Sequence, residues 1–337
     1  MQGDVRMPSA EMTASAPSVV RLFAIVVIYK MLPRDSSSLQ TLLTAAAKVS
    51  RNELDLKILA WDNTPGAQNP GELPDEVLYV SAPNNPGLAV AYNHVLNLAE
   101  AGGYEWLLTL DQDSNLPANF LLRMAQLARE LGPRLKIGAI VPQVTASGRN
   151  ISPFRFMLGA VPRWFKYGFV GTSESITIPI NSGAMLRASA LHRIGGYNPM
   201  FPLDFSDNDL FYRLHKSGKR VYIAGDLLIH HDVALLARDK KMTLDRYRAV
   251  LLEECAFWDL NMGSIARFER MIRLVGRVCR DFLKSDGPLF RALTILELKR
   301  RLLNSRQQRI AEWRQWASLR CNAAQLRNPQ VWERSRE

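Results

Sequence analysis

The strongest constraint on this chain is a rhythm in its first 140 residues. Short apolar runs alternate with segments whose apolar residues recur at helical spacing. Residues 22–29 read as a strand, 37–49 as a helix, and 56–61 as a strand that runs out into Asp62 and Asn63. Residues 77–81, 87–99, 106–110, 119–131 and 137–142 continue the alternation of strand and helix. Strands separated by helices run in the same direction, so the rhythm predicts an α/β fold with a mostly parallel central sheet flanked by helices. Ligands of such sheets collect beyond the carboxyl ends of the strands. Two of the expected strands deliver a carboxylate to that edge, Asp62 and Asp111.

At 337 residues, with 47% hydrophobic and 22% charged side chains, the chain is long and apolar enough to bury a full core. Cys255, Cys279 and Cys321 are far apart and form no CxxC pair. That pattern supports neither a disulfide framework nor a zinc site and points to a reducing, cytoplasmic setting. Residues 1–20 are expected to be a flexible leader, since the Ser, Ala and Pro there lack the layout of a signal peptide. The apolar run 22–29 falls well short of the roughly 20 residues that cross a bilayer.

The charge is uneven. The whole chain carries +11, and residues 238–337 hold 22 Lys and Arg against 12 Asp and Glu, a net +10. This last stretch reads as helical throughout, with Arg267, Arg270, Arg273 and Arg277 at three- and four-residue intervals. A basic module implies an anionic partner. No helix-turn-helix, zinc-finger or RNP pattern is present, which leaves a solvated helical face or an anionic membrane surface.

Three groups of residues carry chemistry. Asp111-Gln112-Asp113 puts two carboxylates at the end of an apolar strand, a hard-oxygen arrangement suited to Mg2+ or Mn2+ bridging a diphosphate. Asp204, Asp207 and Asp209 crowd the start of a helix. Capping explains one or two of them, and a carboxylate kept ionised there could act as a general base. His230 and His231 follow a later strand, and a third metal ligand from that loop would complete the Asp113 site. Residues 145–180 lack clean periodicity but are rich in aromatics, among them Trp164, and read as a long loop that could form an acceptor-facing lid.

Taken in order, these segments resemble the family 2 glycosyltransferases of GT-A fold, and among them the rhamnosyltransferase-like branch. The resemblance rests on residues 26–29, Trp61-Asp62-Asn63, Asn85-Pro86-Gly87-Leu88-Ala89, Asn93 and Leu110-Asp111-Gln112-Asp113-Ser114. It continues through Asn181-Ser182-Gly183, Ile194-Gly195-Gly196-Tyr197, Phe201, Asp204-Phe205-Ser206-Asp207, Leu210, Arg213-Leu214, Gly218 and His230.

It implies a Rossmann-like GT-A domain over residues 21–237, with a nucleotide-binding half to about 115 and an acceptor and catalytic half from 116, followed by the basic helical region 238–337. Asp62 would contact the base or ribose beside the backbone at Tyr29, and Asp111 would hold the nucleotide. Asn85, Gly87, Asn93, Ser182 and Gly183 fall on the same donor side. Asp113 and His230 would bind the divalent cation, with His231 competing for the second role. Asp207 would be the catalytic base, and Asp204 and Trp164 would face the acceptor. The implied donor is a nucleotide sugar, typically dTDP-L-rhamnose, with galactofuranose, glucose or N-acetylglucosamine donors as rivals. The acceptor would be a saccharide or lipid-linked saccharide of a surface polysaccharide, on the inner face of the plasma membrane. A non-catalytic polysaccharide- or membrane-binding protein on the same fold is the rival of a different class. Two departures stand out: Ser206 precedes Asp207 where many relatives have Glu, and His231-Asp232-Val233 replaces a common Gly-Asp after the late His.

Overall fold

A computed structural model describes residues 19–157, 161–202, 204–231, 243–282 and 287–325. Nearly all of the expected leader lies outside them. In chain order the elements are β1 (Val20–Ile28), α1 (Ser37–Ala46), β2 (Leu54–Asp62), β3 (Val77–Ser81), α2 (Leu88–Ala101), β4 (Trp106–Asp111), β5 (Ser114–Asn115) and α3 (Phe120–Leu131). Next come β6 (Ile137–Ala146), β7 (Arg149–Ser152), β8 (Phe154–Met157), β9 (Val161–Trp164), β10 (Val170–Ser173), β11 (Thr177–Ile178) and β12 (Ala184–Arg187). The chain continues through α4 (Ala188–Arg193), α5 (Ser206–Lys216) and β13 (Arg220–His231), then α6 (Leu244–Asn261), α7 (Ser264–Asp281), α8 (Gly287–Leu303) and α9 (Arg306–Gln325).

The central sheet has the order β10-β13-β6-β12-β4-β1-β2-β3. Strands β3, β2, β1 and β4 are mutually parallel, as are β6 and β13, while β12 runs antiparallel between β4 and β6. Period-two alternation sorts the side chains of β1 onto two faces. Leu22, Ala24, Val26 and Ile28 join the core under α1 and α3, whereas Phe23, Ile25 and Val27 join the core under α2, α4 and α5. A strand buried on both faces reads as one continuous apolar run, which is how 22–28 appears in the sequence.

Residues 145–180 depart from the expectation of an irregular loop. The described residues among them fold into short strands: β7 extends the central sheet, β10 forms its edge on β13, and β11-β8-β9 make a separate small sheet. Runs of two to four residues are too short for alternation to show in sequence.

The C-terminal helices pack onto this domain through α6, which touches α5, α7, α8 and α9. Phe201 lies in one cluster with Phe257, Trp258 and Met262 of the α6 segment and Trp313 of α9. Thr243 caps α6, its side chain accepting from the Arg246 amide at 3.2 Å.

Candidate active site

The parallel register brings the carboxyl ends of four strands to one edge. Ile28 of β1 is level with Asp62 of β2, Asp62 with Ser81 of β3, and Val27 with Asp111 of β4. Asp111 and Asp62 therefore flank the end of β1. Because β12 runs the other way, its start lies beside the end of β4. Ser182, just before β12, is buried and donates from Oγ to Asp111 Oδ2 at 2.5 Å. Gly183 makes this approach fit: its φ is +83°, and a Cβ there would stand 2.3 Å from Ile229 Cδ1.

The turn after β4 is tied down from three sides. Gln112 Oε1 accepts from the Tyr29 amide at 2.7 Å, its carbonyl accepts from Ser36 Oγ at 2.8 Å, and the Ser114 amide donates to Ser38 Oγ at 2.8 Å. Asp113 is thereby presented to the end of β13, where β5 pairs Ser114 with His231 and Asn115 with His230. His231 Nε2 lies 3.5 Å from Asp113 Oδ1, and its Nδ1 is 3.2 Å from Ser114 Oγ. His230 is exposed, with Nδ1 3.1 Å from Thr145 Oγ1. Adjacent strand residues point to opposite faces. The histidine that meets Asp113 is therefore His231, not His230, which the family pattern suggested.

Asp207 sits in the first turn of α5, partly buried, and Oδ1 accepts from the Asn208 amide at 2.8 Å. Burial, and next the negative charge of Asp111, push its pKa up to about 7, against the short bond from Asn208. Asp111 and Asp207 thus share one acidic site although they leave the backbone on different elements. Two buried tyrosines floor it. Tyr92 and Tyr197 have ring centroids 4.7 Å apart, and burial together with the charges of Asp111 and Asp207 raises both hydroxyls well above the usual tyrosine range. Tyr197 donates to Asn181 Oδ1 at 2.9 Å, while the buried Tyr92 hydroxyl faces the Asp111 carboxylate.

The start of α5 is held by the C-terminal helices. Glu253 of α6, almost fully buried, accepts from the Asp204 and Phe205 amides at 3.1 and 3.3 Å. Burial and the nearby Asp204 push its pKa up to about 7. Arg246 pairs with Asp204 at 2.6 Å. From the other side, Gly87 has φ +92°, and a Cβ there would meet the Pro202 carbonyl at 3.0 Å.

Several expected donor contacts turn out to be committed within the chain. Asn93 donates to the Tyr197 carbonyl and accepts from the Tyr197 amide, both at 2.8 Å, which locks α2 to the turn before α5. Arg213 completes that lock with bonds to the Ile194 and Gly196 carbonyls at 2.8 and 2.9 Å. Asp62 is fully buried; Oδ1 accepts from the Thr64 amide at 2.8 Å and Oδ2 from Tyr79 OH at 2.6 Å. Asn85 and Tyr29 stay exposed at the edge, and Asn85 has φ +46°. Trp164 is 48% exposed on β9, its Nε1 donating to the Ile151 carbonyl at 3.2 Å.

Sequence reasoning passed over Tyr92, Gln112 and Glu253. Tyr92 reads as one more core residue at helical spacing. Glu253 carried a usable signal, an adjacent acid pair with Glu254 in an otherwise basic stretch.

The donor chemistry fits a divalent cation held jointly with a ligand. Among the described residues no group of three or more His, Cys, Asp or Glu converges as a complete metal cage. The chain offers a carboxylate, Asp113, and an imidazole, His231. Cations that work on phosphates are commonly held by one or two protein groups, with phosphate and water filling the other positions.

The model of the family described as "Glycosyl transferase family 2" matches residues 62–195. No curated protein matches the chain by sequence. Among solved structures, TarS 1–349 of S. aureus in complex with UDP-GlcNAc is similar with TM-score 0.50 and 12% identity, over 92% of this chain and 93% of that one. The mannosyltransferase PcManGT of Pyrobaculum calidifontis, in complex with GDP-Man and Mn2+, has TM-score 0.46 and 16% identity over 94% and 90%. GalNAc-T7 with UDP, GalNAc and Mn2+ has TM-score 0.48 and 12% identity over 72% of this chain, which spans about half (51%) of that protein. This chain therefore has the mixed α/β fold of the GT-A glycosyltransferases with a helical C-terminal extension, and the glycosyl transferase family 2 model matches its residues 62–195.

Proposed function

We propose that the protein is an inverting glycosyltransferase that moves a sugar from a nucleotide diphosphate donor to a hydroxyl of a saccharide or lipid-linked saccharide. The observation that carries this reading is that Asp111, at the carboxyl edge of the sheet, lies near enough to Asp207 for its charge to raise the Asp207 pKa, while Asp113, two residues on, meets His231.

Asp207 takes the proton from the acceptor hydroxyl. A carboxylate with a pKa of about 7 is both substantially ionised and usefully basic near neutral pH. The freed oxygen attacks the anomeric carbon while the bond to the diphosphate breaks on the opposite face, so the configuration inverts. Asp111, oriented by Ser182, faces the nucleotide. Asp113 and His231 would hold the divalent cation, Mg2+ or Mn2+, which when bound neutralises charge on the leaving diphosphate. Asp62 and Asn93 act as positioning residues: one shapes the end of β2, the other fixes the turn ahead of α5. Asn85, Gly87, Tyr29 and Gly183 line the donor edge, and Asp204 and Trp164 border the acceptor side.

The donor is proposed to be dTDP-L-rhamnose, because the ordered motif set resembles the rhamnosyltransferase-like branch. Purified protein given dTDP-L-rhamnose, UDP-galactofuranose, UDP-glucose or UDP-N-acetylglucosamine with a saccharide acceptor should form product from the first, with inverted anomeric configuration by NMR. Product with retained configuration would overturn the role of Asp207, and transfer from another donor alone would overturn the rhamnosyl reading.

A further inference from the structure

Helices α7 and α8 are amphipathic the wrong way round for a protein in water. Residues about 100° apart per step fall on one face when they recur every three or four positions. On α7 the solvent-facing stripe is Ile265, Phe268, Ile272 and Val275, which are 80%, 66%, 57% and 51% exposed. The opposite face, turned inward, carries Ala266, Arg270, Leu274 and Asp281. On α8 the outward positions include Leu289, Leu296 and Leu303, each more than 60% exposed, whereas Thr294, Glu297 and Arg301 are buried.

The inward polar groups are paired with one another. Arg270 and Arg277 both engage Glu254 of α6, and Arg301 bridges Asp259 at 3.1 Å and Glu297 at 3.0 Å. Paired ionic groups thus share the interior of this helical layer with Leu274 and Leu251, while large apolar side chains stand on its exterior. A monomer in water gains nothing from that exchange, because the apolar area stays hydrated.

We infer that the outward faces of α7 and α8 form a membrane-docking surface that beds into the interface of a bilayer containing anionic lipid. Two features select lipid over a second copy of the chain. The apolar faces lie on two helices packed on each other and are bordered by cations. Arg280 is 63% exposed, Lys299 is exposed, and the Arg291 guanidinium lies 3.9 Å above the Phe282 ring. A second copy would set these cations against their like, whereas anionic headgroups complement them, as they do the +10 carried by residues 238–337. No helix among the described residues is long and apolar enough to cross a membrane, so these faces lie on the bilayer rather than span it. At Leu296 the outward face of α8 meets a groove of about 270 Å³ that mixes apolar side chains such as Leu293, Trp313 and Trp316 with the charged Arg248, Glu297, Arg300 and Glu312. Glu253 and Glu254 are neighbours on α6; one holds the loop ahead of Asp207 and the other anchors α7, so the docking layer is one helix away from the proposed base.

The inference does not depend on the sugar-transfer reading, and its test does not measure transfer. The full chain should float with phosphatidylcholine vesicles that contain phosphatidylglycerol. A variant carrying Phe268→Asp, Ile272→Asp and Leu296→Asp should lose at least ten-fold in vesicle affinity while keeping its melting temperature. A wild-type chain that stays with the soluble fraction, or a folded variant that floats equally well, would overturn the proposal. So would a wild-type dimer by light scattering that ignores vesicles and becomes a monomer in the variant. A second readout avoids the triple variant: in a Cys321→Ser chain, a polarity-sensitive fluorophore on exposed Cys279 of α7 should shift to the blue when the same vesicles are added. An unchanged spectrum would contradict burial of that face in lipid.

Discussion

Asp207 is caught between ionisation and burial. To accept a proton it must be charged, yet burial and Asp111 hold its pKa up at about 7. Transfer should therefore rise with pH through about 7 and level off above it, and Asp207→Asn should lower turnover by roughly 10²–10⁴-fold while sparing donor binding. The same shift has a stability sign. The folded chain holds this proton more tightly than the unfolded chain, whose carboxylate titrates near 4. The penalty is therefore absent below about pH 4, grows between 4 and 7, and is complete above 7. Asp207→Asn should raise the melting temperature at pH 8, by up to roughly 4 kcal/mol of stability, with little change at pH 4. An unchanged or lower melting temperature at pH 8 would show that the carboxylate is not held in an unfavourable state. A second contrast concerns the paired histidines. His231→Ala should weaken metal-dependent donor binding by about 10–100-fold, and His230→Ala should leave it nearly unchanged, as read by titration at fixed Mn2+. The reverse order would place the other ring at Asp113.

At the scale of elements, the part of the site carried by parallel strands was legible in the sequence. Continuous apolar runs ending in Asp62 and Asp111 locate the carboxyl edge, because chain direction and strand period are local properties. The choice between His230 and His231 was not legible. A register shift between Ala224 and Leu228 sets which residue of β13 faces β5, and nothing in the alternation of 226–231 announces it. Asp62 and Asn93 show a different limit of the sequence. Their positions match a binding motif, but whether an amide or carboxylate faces a ligand or the backbone depends on partners as distant as Tyr197. Glu253 was passed over because it acts from α6, beyond the recognisable motifs, where its pairing with Glu254 was the one signal in the sequence. Its two bonds to backbone amides hold the loop before α5, so Glu253→Ala should cut turnover at least ten-fold with donor affinity little changed. Glu253→Gln, which keeps an acceptor oxygen, should restore most of that loss. Equal activity in the alanine variant would show that α5 needs no support from α6.

For the whole molecule, the helical extension packs directly against the α/β domain through α6 and a shared aromatic core. Phe201 shares its core with Phe257, Trp258 and Trp313, and Asp204 with Arg246 and Glu253. A chain ended at residue 237 should therefore lose stability and transfer together, in addition to any vesicle binding. Retention of full activity by that shortened chain, measured with a water-soluble acceptor, would separate the two parts. The sequence marked the extension only as basic and helical; that Arg270 and Arg301 are buried while Phe268, Ile272 and Leu296 stand exposed is set by packing against α6, which composition does not carry. The central claim is that Asp111, Asp113 and His231 form one cation-dependent diphosphate site, and calorimetric titration of nucleotide sugars tests it most directly. The wild-type chain should bind a donor in the presence of Mn2+ and at least ten-fold more weakly without it, and Asp113→Asn should bind weakly in both conditions. Donor binding of equal strength with and without Mn2+, and in wild type and Asp113→Asn alike, would contradict it.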